Sequence, residues 1–171
     1  PSPYWVSYPE MVRLAGGDTV YLETSEANGF AVTAADISAK ITPKTKLLIL
    51  TSPCNPTGAV VPPSEIEAIG KLLEDKGLWC ITDEIYDKLI YGDNQHKSVT
   101  SVSDYCRNHT ILVNGVSKTY AMTGWRIGFA AGPVDIIKAM ANIQSQSTSC
   151  ACGLAQAGAL AALTGPQDCV A

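Results

Sequence analysis

Charge is scarce in this sequence, and basic residues are in the minority. Only 16% of the 171 residues are charged, and 12 Lys and Arg against 16 Asp and Glu give a formal net charge of −4. A chain with this balance lacks the basic surface that nucleic acids and anionic lipids require. Binding to a polyanion is therefore not expected.

Long apolar runs are also missing. Stretches such as 47–50 and 127–131 are far shorter than the roughly 20 apolar residues that cross a bilayer. The overall composition, with 46% hydrophobic residues, is that of a globular chain with a core, which excludes a disordered, collagen-like or coiled-coil protein. No membrane helix is predicted.

Six cysteines are present, but their spacing defines neither a disulfide framework nor a metal site. Only Cys150 and Cys152 lie close together, and no histidine stands near them to complete a ligand set. This pattern favours reduced thiols in a cytoplasmic protein, with no metal bound.

Predicted strands and helices alternate along the chain. Ser64 and Glu67 are spaced as a capping box, and Gly77 supplies a stop signal, so a helix is predicted between them. Further helices are predicted after Thr33, after Pro133 and over 151–163. The predicted strands are 19–23, 46–50, 78–82, 110–113 and 125–131. The expected fold class is α/β, with a mainly parallel sheet covered by helices.

Polar side chains follow three of the predicted strands directly. Asn55 follows the first, Asp83 and Tyr86 follow the second, and Lys118 follows the third. Because the carboxyl ends of parallel strands meet at one edge of a sheet, these groups are expected to share a rim. An acid, a phenol, an amide and an amine suit a flat, anionic ligand that contains a ring nitrogen. Arg126, eight residues after the lysine, adds a guanidinium for a phosphate.

These positions carry a family resemblance. Residues 115–128, GVSKTYAMTGWRIG, resemble at every defined position the lysine signature of the class I pyridoxal phosphate-dependent aminotransferases. Residues 52–58, SPCNPTG, resemble the asparagine loop of that family, and 83–86, DEIY, its aspartate and tyrosine segment. Residues 3–9, PYWVSYP, are similar to the bacterial aspartate aminotransferase branch. The resemblance implies a fold type I large domain.

The resemblance also implies how the chain is organised and what it does. Residues 1–171 would be the central part of the large domain that binds pyridoxal 5′-phosphate, with the N-terminal segment and the C-terminal small domain absent. The implied activity is amino-group transfer between an amino acid, with aspartate as first choice, and a 2-oxo acid such as 2-oxoglutarate. The implied partners are these small molecules and, in the complete protein, a second identical subunit.

Roles for single residues follow from the same resemblance. Lys118 would be the catalytic residue, binding pyridoxal 5′-phosphate as a Schiff base and moving a proton. Asp83 would pair with the nitrogen of the cofactor ring, and Tyr86 and Asn55 would hydrogen-bond its phenolic oxygen.

The phosphate and the face of the ring involve further positions. Arg126 would bind the phosphate, with Ser117 as a second phosphate ligand, and Trp5 would stack on the ring. Some family members have a phosphate-binding serine three residues before the lysine, where this chain has Gly115.

Other functions stay open at this point. Related pyridoxal phosphate enzymes, such as C–S lyases and aminotransferases of other substrates, share the lysine motif. In a different class, 78–84 imitates a Walker B strand of a phosphate-loop NTPase, and Lys118 imitates a Walker A lysine. A Walker A loop, however, needs glycine one and six residues before that lysine, where Ser117 and Leu112 stand. A third possibility is a catalytically inert fragment.

Overall fold

The computed structural model describes residues 1–170. Its four strands form one sheet in the order β1-β2-β3-β4. The strands are β1 (Leu47–Thr51), β2 (Trp79–Asp83), β3 (Thr110–Gly115) and β4 (Gly128–Ala131). The helices are α1 (Ser7–Leu14), α2 (Ala34–Lys40), α3 (Pro63–Lys76), α4 (Asp104–Asn108), α5 (Val134–Ser147) and α6 (Gly153–Thr164). This mainly parallel sheet with its helices confirms the predicted fold class.

Three of the four strands are parallel, and each is connected to the next by a segment that contains a helix. β1 pairs with β2 and β2 with β3 in parallel, whereas β4 pairs antiparallel with β3. Parallel neighbours need such crossover connections, because a short turn cannot bring the chain back to the starting edge. The carboxyl ends of β1, β2 and β3 therefore lie along one edge of the sheet.

The larger core cluster lies between α3 and the sheet. Ile66, Ile69 and Leu73 recur on one face of α3 and are at most 1% exposed. They pack in a cluster that includes Leu50 of β1 and Cys80 of β2. Burial of aliphatic side chains on this scale, about 1.5–3 kcal/mol each, holds the helix against the strands. The strand ends are thereby fixed to a packed layer.

The start of α3 differs from the prediction. The helix begins at Pro63, Pro62 is its N-cap, and no side chain caps it, so the predicted capping box at Ser64 is wrong. Proline is favoured in the first helical turn, because its fixed φ suits the helix and its missing N–H is not needed there. The other end agrees with the prediction, since Gly77 takes a left-handed φ of 65°.

Two predicted strands also differ. Residues 19–23 form no strand but a single bridge between Ser2 and Glu23. The last strand begins at Gly128 rather than Trp125, because a 3-10 turn over Thr123–Trp125 precedes it and Arg126 has a left-handed φ of 56°. Extended pairing cannot begin until the backbone has left that turn.

The described residues also bear on the expectations for membrane helices and cysteines. No helix among residues 1–170 is long and apolar enough to cross a membrane. All six cysteines have free thiols, of which Cys80 and Cys106 are buried.

Candidate active site

The ends of the parallel strands bring the candidate residues to one edge of the sheet. Thr51, the last residue of β1, is paired with Asp83, the last residue of β2, and Asp83 is paired in turn with Val113 of β3. Asp83 therefore lies in the middle of the rim. Asn55 follows β1, Tyr86 follows β2 and Lys118 follows β3, each within five residues of its strand end.

Both oxygens of the Asp83 carboxylate already accept hydrogen bonds. The Tyr8 hydroxyl donates to Oδ2 at 2.7 Å, and the backbone N–H of Ile85 donates to Oδ1 at 3.2 Å. Hydrogen bonds to an ionised acceptor are stronger than those between neutral groups. They fix the direction of the carboxylate, and each oxygen keeps a lone pair for another donor.

Tyr8 is a residue that the sequence analysis missed. Its hydroxyl lies 2.7 Å from Thr51 Oγ1 as well as 2.7 Å from Asp83. The single phenolic proton goes to the carboxylate, so Thr51 must donate to Tyr8. Burial, and after it the Asp83 carboxylate, raise the pKa of Tyr8 above its usual 10.0, against the opposing effect of the Thr51 hydrogen bond. Tyr8 therefore stays a donor throughout the neutral range.

The phenol, the amide and the amine form a second group of contacts. Asn55 Nδ2 donates to the Tyr86 hydroxyl at 3.5 Å. Lys118 Nζ lies 5.7 Å from the centroid of the Tyr86 ring, within the range of a cation–π contact. Tyr86 thus joins the loop after β1 to the turn after β3, and the three side chains converge as the sequence analysis expected.

Trp5 lies next to the Asp83 group. Its ring meets the ring of Tyr8 edge-on, with centroids 5.4 Å apart, and it is 41% exposed. A T-shaped pair of this kind is a favourable aromatic contact. Trp5 therefore contacts Tyr8, which is the hydrogen-bond donor to Asp83, and a large part of the Trp5 side chain remains exposed to solvent.

Arg126 and Ser117 are placed differently. Arg126 is exposed, and its guanidinium donates to the carbonyl of Thr123 in its own turn at 2.9 Å. Ser117 is half-buried beside Lys118. Within residues 1–170, no hydrogen bond links either side chain to the Asp83 or Tyr86 groups. Their predicted contact with a phosphate stays a prediction.

Gly115 has a steric reason to be glycine. A Cβ atom at this position would lie 2.8 Å from the carbonyl oxygen of Ile127 and 3.1 Å from Cα of Gly128. Both atoms belong to the backbone of the neighbouring chain segment and cannot move independently. A serine would not fit at this position of the strand without a shift of the neighbouring backbone.

An acid, an amide, a phenol and an amine lie along this rim, in a chain whose family a comparison identifies. A model of the family "Aminotransferase class I and II" matches residues 1–170, so the chain belongs to that family. Enzymes of the aspartate aminotransferase family use pyridoxal 5′-phosphate. Membership of this family sets the phosphate-loop NTPase alternative aside.

Aspartate aminotransferases of bacteria are among the similar proteins. The aspartate aminotransferase of Geobacillus stearothermophilus is 49% identical over 168 residues, which are 98% of this chain and 43% of the relative. The aspartate/prephenate aminotransferase of Thermus thermophilus is 48% identical over 163 residues, which are 95% of this chain and 41% of the relative. The chain thus spans about two fifths of the length of these relatives.

Solved structures of aminotransferases also have the same fold as this chain. A double mutant of the aspartate aminotransferase of Thermus thermophilus has a TM-score of 0.92 at 47% identity, covering 99% of this chain and 43% of its own. The aromatic aminotransferase of Pyrococcus horikoshii has a TM-score of 0.93 at 41% identity, covering 98% and 44%. At 47% and 41% identity, these proteins are similar to this chain in sequence as well as in fold.

Proposed function

We propose that the full-length protein containing this chain is a pyridoxal phosphate-dependent aminotransferase. It transfers an amino group from an amino acid, with aspartate as first choice, to a 2-oxo acid such as 2-oxoglutarate. One observation carries the proposal: an acid, an amide, a phenol and an amine from three adjacent strand ends converge on one rim. Within that protein, residues 1–171 would be the central part of the large domain; they match 43% of the length of the aspartate aminotransferase of Geobacillus stearothermophilus, which supports their being one part of a longer chain.

The donor set fits pyridoxal phosphate group by group. Asp83, held by Tyr8 and Ile85, has lone pairs for the protonated ring nitrogen. Asn55 and Tyr86, in contact with each other, supply hydrogen-bond donors for the phenolic oxygen. Arg126 would bind the phosphate through a guanidinium fork. Trp5 would cover a face of the ring, and Ser117 would be a further phosphate ligand.

The chemistry divides between cofactor and chain. When bound, pyridoxal phosphate supplies an electron sink for the electron pair left at the α-carbon of the substrate. Lys118 would bind the cofactor through its amine and, once released, would move a proton as general base and acid. Asp83 would hold the proton on the ring nitrogen, and Tyr86 would orient the phenolic oxygen.

The names of the relatives support a second substrate class for the same reaction. Aspartate/prephenate and aromatic aminotransferases are among the similar proteins, so an aromatic amino acid or prephenate is a candidate alongside aspartate. We also propose that the protein acts in the cytoplasm as a homodimer, as is typical of this family. Whether residues 1–171 alone have activity is a separate question, because they span only about two fifths of the relatives.

Reduction with borohydride tests the proposal directly. The full-length protein is loaded with pyridoxal phosphate, reduced and mapped by peptide mass spectrometry. We expect the label on Lys118 and its loss in Lys118→Ala, with Lys138→Ala as a control lysine on α5. Label elsewhere, or none, would refute the proposal.

The reaction type needs a second assay. Formation of a new amino acid from aspartate and 2-oxoglutarate is compared with release of pyruvate and ammonia from a β-substituted substrate. Amino acid formation alone supports the aminotransferase, whereas release of ammonia as the main product would assign a lyase.

A further inference from the structure

Glu84 carries a buried carboxylate directly beside the candidate site. The residue is 4% exposed and follows Asp83 at the end of β2. Its side chain accepts from Ser98 Oγ at 2.7 Å and from Thr82 Oγ1 at 3.1 Å, and it lies 3.0 Å from His96 Nε2. A buried charge is tolerated only with such partners, because its hydration has been lost. Glu84 is therefore held firmly.

The environment of His96 defines its hydrogen-bonding role. The carboxylate can only accept, so Nε2 carries the proton and donates to Glu84. The other ring nitrogen, Nδ1, is buried and has no partner among residues 1–170. His96 thus contributes an N–H donor to the buried Glu84 carboxylate.

These contacts attach the turn after β2 to the returning chain. The backbone N–H of Glu84 donates to Val113 of β3 at 2.8 Å, and its carbonyl accepts from Asp87 at 3.0 Å. The carbonyl of Tyr86 accepts from Leu89 at 2.8 Å. Beyond His96 and Ser98 the chain enters the core at Val99, which is fully buried. Glu84 therefore connects the turn to a segment that the core anchors.

We propose that His96 is a positioning residue, which acts through Glu84 to hold Tyr86 in place on the rim. The proposal rests on the proposed function, because the role of Tyr86 toward the cofactor belongs to that function. Without the His96 donor, Glu84 keeps the Ser98 and Thr82 contacts but loses one of its two links to the returning segment. The turn over 85–88 then becomes mobile, and Tyr86 no longer holds its hydroxyl at the phenolic oxygen.

The experiment compares His96→Leu, His96→Gln and His109→Leu in the full-length protein. Gln keeps an N–H donor near the position of Nε2. His109 is the matched control, since it hydrogen-bonds the Tyr105 carbonyl at 3.0 Å and stacks on that ring at the other end of β3. Two measurements are made on each variant. One is hydrogen exchange at the amides of Asp87 and Leu89 in cofactor-free protein, and the other is the pH titration of the visible absorbance of bound pyridoxal phosphate.

We expect His96→Leu to speed hydrogen exchange at the amides of Asp87 and Leu89 about tenfold. We also expect it to raise the midpoint of the pH titration of the bound cofactor's absorbance by about 0.5–1 pH unit. His96→Gln should restore both values, and His109→Leu should change neither. If His96→Leu lowers the melting temperature but changes neither measurement, His96 is merely structural and the proposal is wrong. If His96→Leu does not fold, Ser98→Ala, which removes the other link, takes its place with the same criteria.

The two proposals fail in different ways. A wild-type protein that binds no pyridoxal phosphate refutes the proposed function. Exchange in cofactor-free protein then still decides whether His96 holds the turn. Normal cofactor binding together with unchanged exchange in His96→Leu refutes only the role of His96.

Discussion

Replacing Tyr8 with phenylalanine removes one hydroxyl from the centre of the candidate site. That hydroxyl donates to Asp83 at 2.7 Å and lies 2.7 Å from Thr51. Phenylalanine keeps the ring and its edge-on contact with Trp5. The substitution therefore tests the hydrogen bonds alone, with little change in packing.

The size of the effect follows from the charge of the acceptor. A hydrogen bond to a charged group contributes about 1.5–3 kcal/mol to stability. Because Tyr8 and Asp83 are half-buried, water can replace part of the lost contact, and we expect a decrease of about 1.5 kcal/mol in the free energy of unfolding. Asp83 also loses one of the two donors that direct it, so pyridoxal phosphate should bind about tenfold more weakly.

Urea unfolding of the cofactor-free full-length protein measures the first quantity, and titration with pyridoxal phosphate measures the second. Tyr105→Phe is the matched control, because the Tyr105 hydroxyl donates to the neutral carbonyl of Leu78 at 3.2 Å, at the opposite end of β2. A double-mutant cycle with Asp83→Asn isolates the coupling between the two side chains. The reasoning is refuted if the coupling is below about 0.3 kcal/mol, or if Tyr8→Phe weakens cofactor binding no more than Tyr105→Phe does.

Three further predictions concern neighbouring features. Gly115→Ala should lower the free energy of unfolding by about 1–3 kcal/mol, because the Cβ of the alanine would lie 2.8 Å from the carbonyl oxygen of Ile127. A decrease of less than about 0.5 kcal/mol, measured by urea unfolding, would contradict this prediction. The pKa of Tyr8 is raised in the folded state, so the free energy of unfolding of the wild-type protein should fall as pH rises above 10.0. Relative to Tyr8→Phe, which has no hydroxyl to ionise at this position, the fall should reach up to about 1.4 kcal/mol per pH unit. Parallel curves of unfolding free energy against pH for the two proteins would exclude the effect. Arg126→Gln should change the melting temperature by no more than about 1 °C, because the side chain is exposed. The same substitution should weaken pyridoxal phosphate binding about tenfold or more, because it removes the guanidinium. An unchanged affinity, measured by titration, would exclude Arg126 as the phosphate ligand.

The sequence predicts the rim better than it predicts the contacts within it. Asp83 and Lys118 each follow a short apolar strand, and parallel pairing then brings the strand ends together without further information. Tyr8 lies 75 positions before Asp83, and no local pattern links the two residues. The contact between His96 and Glu84 could not be predicted from the sequence either, because the two side chains become neighbours only when the chain folds back toward the end of β2.

The wrong local predictions have a common physical cause. The capping-box spacing at Ser64 is real, but Pro63 already begins the helix and leaves the serine inside its first turn. Residues 19–23 have the alternation of a strand, but the structure gives them only one bridge instead of a continuous partner. In both cases the surroundings of the segment, a preceding proline in one and the lack of a pairing strand in the other, decide the structure rather than its own propensity.

The candidate residues differ in how many contacts they make with one another. Asp83 is held at both oxygens, and Tyr86 is in contact with Asn55 and Lys118, so these groups have little orientational freedom left to lose when a ligand binds. Arg126 is exposed and uses one guanidinium N–H on its own turn, which leaves its other donors free for an anion. The residues proposed to bind the ring are therefore held in place by contacts within the sheet and its loops before any ligand binds. Under the proposed function, the cost of ordering would fall mainly on Arg126, whose exposed guanidinium would have to turn toward the phosphate.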